Sequence, residues 1–255
     1  IKCHLFQITP IDGDHWAIDG TIFEKDGTLY YTWSGTYQTY VSKPQSIFIA
    51  KMSNPWTISS NRIELASPGS VNGYNNGNVT EGPEVLVANG KIFMTYSENG
   101  CWTPDYRIAM LHMNITDDPL NISSWTRLTS PVFVSNSLVQ AYGPGHHSFF
   151  KSPDGNEHWL AYHATTIASG ACTDSRTTRV QQLGFDSNNI LVFGVPTWAG
   201  KLRKAPAGEP IVSTSTPISN GIFEITVKSS GKAVDVSQCA LDRGTNVHQW
   251  EANNT

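Results

Sequence analysis

No stretch of eighteen apolar residues occurs in this sequence, so no segment is long enough to cross a membrane as a helix. The longest basic run is "KLRK" at 201–204, and the net charge is -4. That lacks the positive footprint a phosphate backbone demands and argues against a nucleic-acid partner. The four cysteines, Cys3, Cys101, Cys172 and Cys239, show no CxxC spacing, which argues against a zinc site and leaves disulfides or free thiols open. Apolar residues nowhere recur with a helical period over a useful length. Charged residues are only 15% of the chain against 39% hydrophobic, a balance that excludes a disordered, charge-swollen chain.

What is present points to β structure. Eight Trp, nine Tyr and ten Phe favour strands and ring-lined binding surfaces, and 255 residues can bury one large core or two smaller ones. Three segments read as hairpins: "TIFEKDGTLYYTWSG" at 21–35, "EVLVANGKIFMTYSENG" at 84–100 and "SFFKSPDGNEHWLAYHAT" at 148–165. Their turns carry Asp26-Gly27, Asn89-Gly90 and Asp154-Gly155, dipeptides that favour tight reversals. A third apolar segment follows each ("SIFIAKMS", "YRIAMLHM", "RVQQLGF"), and "PWTISS" and "SSWTRLTS" follow the first two. Roughly four strands recurring about every 60 residues is the period of propeller blades.

After "VPTWAGKLRKAPAGEP" the texture changes to "IVSTSTPISNG", rich in Ser, Thr and Pro, which reads as a linker over 211–220. Strand-like alternation resumes over 221–255, a length too short to bury a core by itself.

Asp19 lies in "WAIDGTIF", just inside a strand-like run, where aspartate is normally depleted. A turn aspartate bonding its own backbone is one reading. Glu81, in "TEGPEVLVANGK", repeats the pattern at the start of the next repeat, and two acids at equivalent openings of successive blades would both face the propeller axis. Paired acids among aromatic rings suit glycoside hydrolysis, in which one carboxyl must protonate a leaving oxygen. Glu84, in the same motif, reads as a rival or as a solvated strand face.

Residues 1–210 resemble glycoside hydrolase family 43, through "HWAIDGTIFEKDGTLYYTWSG", "TEGPEVLVANGKIFMTYSENGCW", "YGPGHHSFFKSPDG" and "DSRTTRVQ" in that order. The resemblance implies an all-β, five-bladed β-propeller and an inverting hydrolase. It makes Glu81 the general acid and Asp19 the aspartate that orients this acid and raises its pKa by like-charge repulsion. His146, rather than His147, matches the histidine that helps hold a central ion, usually calcium, partly through water. Arg176 matches an arginine set over the sugar, where a guanidinium can bond vicinal hydroxyls, and Arg179 reads as a strand-face charge. Trp16, Trp33 and Tyr142 are candidate sugar-stacking rings, with core packing an equal reading for Trp33. Cys101 and Cys172 fall in corresponding loops of adjacent blades, and a disulfide between them would staple loops rather than the core.

The opening "IKCHLFQITPIDGDHWAIDG" resembles the last strand of a first blade whose other strands are absent. Asp12 and Asp14 look like turn residues, so neither is assigned as the general base, and the fragment is expected to be inactive for want of one. "SGKAVDVSQCALDRGTNVHQW" resembles the first lobe of a ricin-B-type β-trefoil, which implies sugar contacts from Asp235 and Trp250 in a truncated lobe. The forms "WAIDGT" and "TEGPEV" look most like the α-L-arabinofuranosidase branch. The expected partner is then plant cell-wall polysaccharide (arabinan or arabinoxylan), with no cofactor for the chemistry. β-Xylosidase, endo-arabinanase and a non-catalytic carbohydrate-binding protein are the alternatives. Sequons at Asn78, Asn114, Asn121 and Asn253 suggest an extracellular glycoprotein.

Overall fold

The computed structural model describes residues 15–209, 233–236 and 247–250. The chain divides into two compact units, Ile1–Glu209 and Pro210–Thr255.

The first unit begins with a meander of antiparallel strands. Asp26 (φ 51°) and Gly27 (φ 73°) turn β1 (Ala17–Lys25) into β2 (Thr28–Gly35). Both central residues are left-handed, as a two-residue turn matching the strand twist requires. β2 pairs β3 (Ser46–Asn54), which pairs both the short β4 (Thr57–Ile58) and β5 (Ile63–Ala66). Asn89 (φ 51°) and Gly90 (φ 73°) make the same turn between β6 (Thr80–Ala88) and β7 (Lys91–Glu98), and β8 (Arg107–Asn114) and β9 (Thr126–Arg127) complete the second sheet. The third sheet runs β10 (Tyr142–Lys151), β11 (His158–Thr165), β12 (Arg176–Gln182), with Asp154 in the turn accepting from Ser152 Oγ and the Asn156 N–H. A pair, β13 (Gly184–Phe185) and β14 (Leu191–Val192), follows. Among the described residues of the first unit this makes three meander sheets and one two-stranded pair, with no α-helix.

The sheets stack through period-2 faces. β7 carries Ile92, Met94 and Tyr96 toward a core shared with Ile47, Ile49 and Leu65 of the first sheet. Its opposite face puts Phe93 into a core with Leu160 and Tyr162 of the third. A middle sheet buried on both faces reads as a continuous apolar run, which is why "KIFMTYSE" hardly alternates. Each such side chain, fully buried, contributes roughly 1.5–3 kcal/mol.

In the second unit β15 (Ala233–Val236) pairs antiparallel with β16 (Val247–Trp250), setting Asp235 opposite His248 and Ala233 opposite Trp250. The linker and the rest of the expected trefoil lobe lie outside the described residues.

Candidate active site

The register between β1 and β2 breaks once, so that Asp19 and Gly20 together face Trp33. β6 breaks in the same place, with Gly82 and Pro83 opposite Tyr96, and so does β10, with His146 and His147 opposite Tyr162. The first residue of each bulge is left-handed: Asp19 at φ 54°, Gly82 at 56° and His146 at 45°. A bulge bends the strand and re-aims one side chain, and a left-handed aspartate or histidine there is a strain that sites tolerate for position. Asp19 is therefore a bulge residue within a strand, not a residue of the hairpin turn. Gly82, not Glu81, is its equivalent in the second sheet; Glu81 stands one residue earlier, level with Ile18 and Gly145.

The bulges also decide between the two readings of Trp33. It fills the position behind the bulge that Tyr96 and Tyr162 fill in the other sheets, is 2% exposed, and stacks on Tyr31 at 5.2 Å and Phe48 at 5.7 Å. Trp33 packs the core and has no free face for a sugar.

Three bulged strands bring Asp19, Glu81 and His146 together. His146 Nε2 lies 3.8 Å from Asp19 Oδ1, and His146 Nδ1 lies 3.6 Å from Glu81 Oε1. The Gly82 N–H donates to Asp19 Oδ2 at 3.1 Å, tying one acid to the backbone beside the other. The His146 N–H donates to Ser97 Oγ at 2.8 Å. His147, one residue on, points the opposite way into the core, where its Nε2 meets Thr95 Oγ1 at 2.6 Å and its ring packs edge-on to Phe149.

A residue that motif reading passed over completes the cluster. Tyr106, just before β8 and fully buried, donates its O–H to Glu81 Oε1 at 2.6 Å. Its ring lies under the Arg176 guanidinium at 5.0 Å and parallel to His163 at 6.0 Å. Gly145 makes the space: a Cβ there would meet Tyr106 Cε1 at 2.3 Å. Gly145 itself was the one sequence sign: its φ is not left-handed, so the glycine answers to the ring packed against it and not to a turn.

Arg176 is occupied by the protein. Nε donates to Ala171 O at 2.6 Å, Nη1 to Gly143 O at 2.7 Å and toward His163 Nδ1 at 2.7 Å, and Nη2 to Cys101 O. Four of the five donors a guanidinium carries are thus committed. The expected clamp on vicinal hydroxyls keeps one N–H of Nη2. The loops it joins are also joined covalently, by a Cys101–Cys172 disulfide with Cα atoms 5.3 Å apart.

Electrostatics divides the acids in an unexpected way. Burial pushes the Asp19 carboxyl up, with the neighbouring Glu81 adding to the effect and His146 opposing it. Burial also pushes Glu81 up, but the hydrogen bonds of His146 and Tyr106 and the charges of His146 and His163 outweigh it, and Glu81 is held below the usual glutamate value. The sequence had Asp19 raising Glu81; in the structure the imidazole lies beside both carboxyls and reverses the direction. Hydrogen bonding to Glu81 raises His146, against the opposing effect of burial. Burial, then Arg176, takes His163 down to about 4. Glu84 is not a solvated face: burial pushes its carboxyl up to about 7, with only the His146 charge opposing.

Of the remaining candidates, Trp16 precedes β1 and Tyr142 begins β10, both half-buried. Arg179 is 5% exposed and donates Nη1 to Thr197 O, so it is an interior group rather than a strand-face charge. Asp12 and Asp14 lie outside the described residues, as do the side chains of Asp235 and Trp250. Asn78, Asn114 and Asn121 are exposed.

Asp19, Glu81 and His146 each offer a ligand atom within 4.8 Å of the others. Calcium takes six to eight oxygens, whereas this set is one imidazole and two carboxyls, one oxygen of each already bonded to Tyr106 or Gly82. The described residues do not build a calcium cage.

Two half-buried carboxyls beside one exposed imidazole, at the bulged first strands of stacked sheets, suit acid-assisted cleavage of a glycosidic bond, which is the chemistry of glycoside hydrolases. The chain belongs to the glycosyl hydrolases of family 43, whose family model matches residues 4–191. Members of this family need no cofactor for the chemistry. The chain is 35% identical over 199 residues to an extracellular exo-α-(1→5)-L-arabinofuranosidase of Streptomyces avermitilis, covering 75% of this chain and 40% of that protein. It is 35% identical over 190 residues to α-L-arabinofuranosidase B of Pyricularia oryzae, covering 72% of this chain and 39% of that one. The chain thus spans about two-fifths of the length of these relatives. Among solved structures, an α-L-arabinofuranosidase from Lactobacillus brevis superposes with a TM-score of 0.67 at 31% identity, over 77% of this chain and 60% of that one.

Proposed function

We propose that this chain carries the acid side of an inverting α-L-arabinofuranosidase that removes arabinofuranosyl residues from arabinan or arabinoxylan outside the cell. The observation that carries the reading is the convergence of Asp19, Glu81, His146 and Tyr106 on one point, together with the arabinofuranosidase names of the relatives. Glu81 gives its proton to the glycosidic oxygen as the bond to the anomeric carbon breaks. Water attacks the opposite face of the sugar and loses its proton to a base carboxylate. None of the described residues is assigned as that base. Asp19, fixed by Gly82 N–H, orients the cluster. After transfer, the Glu81 carboxylate is received by the Tyr106 O–H and His146. The three sheets serve as successive blades of a five-bladed propeller, with Trp16 and Tyr142 offering rings to the sugar. Residues 221–255 open a ricin-B-type lobe carrying Asp235 and Trp250.

Glu81→Gln and Glu84→Gln variants of the intact enzyme test the assignment on an arabino-oligosaccharide and on a dinitrophenyl α-L-arabinofuranoside. Losing a positioned acid costs on the order of 10²–10⁴ in kcat/KM on the oligosaccharide and far less on the activated aryl substrate, which departs without a proton. Glu81→Gln is expected to show that split and Glu84→Gln is not. The opposite pattern would make Glu84, the carboxyl that burial pushes up to about 7, the acid.

A further inference from the structure

We infer that Tyr106 is a positioning residue for the acid: by holding Glu81 Oε1 it leaves Oε2 as the oxygen that carries the transferable proton to the leaving group. The inference rests on the reading of Glu81 as the acid and adds which of its oxygens acts, and why.

Both donors near Glu81 address the same oxygen. Tyr106 O–H reaches Oε1 at 2.6 Å and His146 Nδ1 lies 3.6 Å from it, while no described residue donates to Oε2. Oε2 is also not among the buried orphaned atoms, so it keeps contact with solvent. A carboxyl whose one oxygen accepts a short O–H bond carries its proton preferentially on the other, because that bond stabilises negative charge on the accepting oxygen.

Tyr106 is itself immobilised from every side. Arg176 covers the ring, His163 lies parallel to it, and the missing Cβ of Gly145 admits its edge. Arg176 in turn is fixed to the carbonyls of Gly143, Ala171 and Cys101, on loops that the disulfide joins. A phenol so enclosed is held where its O–H meets Glu81 Oε1 at 2.6 Å, with His146 Nδ1 the longer contact at 3.3 Å. A buried tyrosine with a single acidic partner is suited to fixing that partner's rotamer, the pre-organisation an acid catalyst needs.

Tyr106→Phe keeps the ring and removes the O–H. The test is kcat/KM for the parent, Tyr106→Phe and Glu81→Gln over aryl α-L-arabinofuranosides of graded leaving-group acidity plus an arabino-oligosaccharide. If Tyr106 positions the acid, Tyr106→Phe loses roughly ten- to hundred-fold on the oligosaccharide, part of what a placed acid supplies, and less than about three-fold on the dinitrophenyl substrate. Its loss then steepens with leaving-group pKa, as that of Glu81→Gln does. A uniform loss across the series, with Glu81→Gln still graded, overturns the inference and leaves Glu81 as the acid. A flat Glu81→Gln series overturns the acid assignment itself. Gly145→Ala, whose added Cβ would meet Tyr106 Cε1 at 2.3 Å and so displaces the ring, supplies the same test if Tyr106→Phe does not fold. A graded loss smaller than that of Glu81→Gln is expected, and a flat one counts against the inference.

Discussion

Asp19 and His146 occupy the same bulge position in the first strands of two different sheets, and their side chains meet with His146 Nε2 3.8 Å from Asp19 Oδ1. One local device, used in repeat, turns both residues toward the point where Glu81 stands. Gly82 fills the third copy of the position, where a side chain would stand over the imidazole: a Cβ there would lie 3.4 Å from His146 Cγ.

His146 is therefore expected to govern the pH dependence of the acid. As a donor and a charge beside Glu81 it lowers the pKa of that carboxyl. His146→Gln removes the charge, so Glu81 should keep its proton to higher pH and the alkaline limb of kcat/KM should move upward. The plateau should also fall, because the cluster loses its centre. A kcat/KM profile against pH for parent and variant decides it, and a limb that stays in place or moves down would show that His146 does not set the acid's pKa.

Gly145→Ala tests the space given to Tyr106. The added Cβ meets Tyr106 Cε1 at 2.3 Å and lies 3.0 Å from Ser97 Oγ, so the ring must move away from Glu81. Overpacking of this kind costs typically 1–3 kcal/mol of stability. A loss of activity on oligosaccharides larger than the loss on activated aryl substrates, measured at a temperature where the variant is folded, is the expected outcome.

The strand plan was legible in the sequence because its signals are local. Asp26-Gly27 and Asn89-Gly90 announce their turns by chemistry that needs no tertiary context, and the apolar runs between them leave little choice of structure. Asp19, Glu81 and His146 were legible as motif residues, and the fold brings them together. What could not be read is what depends on register. Whether Trp33 faces a sugar or the core turns on which residue stands behind a bulge, and a shift of one position exchanges the two faces. Tyr106 reaches Glu81 from 25 residues away along the chain and Arg176 reaches Cys101 from 75, so neither contact has a local signature. The direction of the Glu81 shift escaped for the same reason, since it follows from where His146 stands between two acids.

His147 makes stability depend on acid. It is folded as a neutral imidazole, pushed down to about 3 by burial and by the charges of His146 and His163. In the unfolded chain it titrates near 6.5. Its stabilising contribution is complete above about pH 6.5 and is lost as pH falls toward about 3, at about 1.4 kcal/mol per pH unit. Urea unfolding at pH 7 and pH 5 should therefore show parent protein losing about 2 kcal/mol more than His147→Gln, which has no proton to take up. Equal losses in the two proteins would mean that His147 accepts a proton in the folded state.

The Cys101–Cys172 disulfide is expected to act on both stability and catalysis. It closes a separation of 71 residues, worth roughly 4 kcal/mol in the chain-entropy account. It also fixes the two loops whose carbonyls, Cys101 O and Ala171 O, hold the Arg176 guanidinium over Tyr106. A Cys101→Ala, Cys172→Ala double variant should unfold at lower temperature. At a temperature where it remains folded it should also lose roughly ten-fold in kcat, because the arginine no longer confines the ring that orients Glu81, and misplacement by about 1 Å can cost two orders of magnitude. Thiol reduction of the parent should reproduce the kinetic change, and reoxidation should reverse it. A double variant with a lowered Tm and unchanged kcat would show that Arg176 keeps its place through its hydrogen bonds alone, which would confine the disulfide to holding the loops together against unfolding.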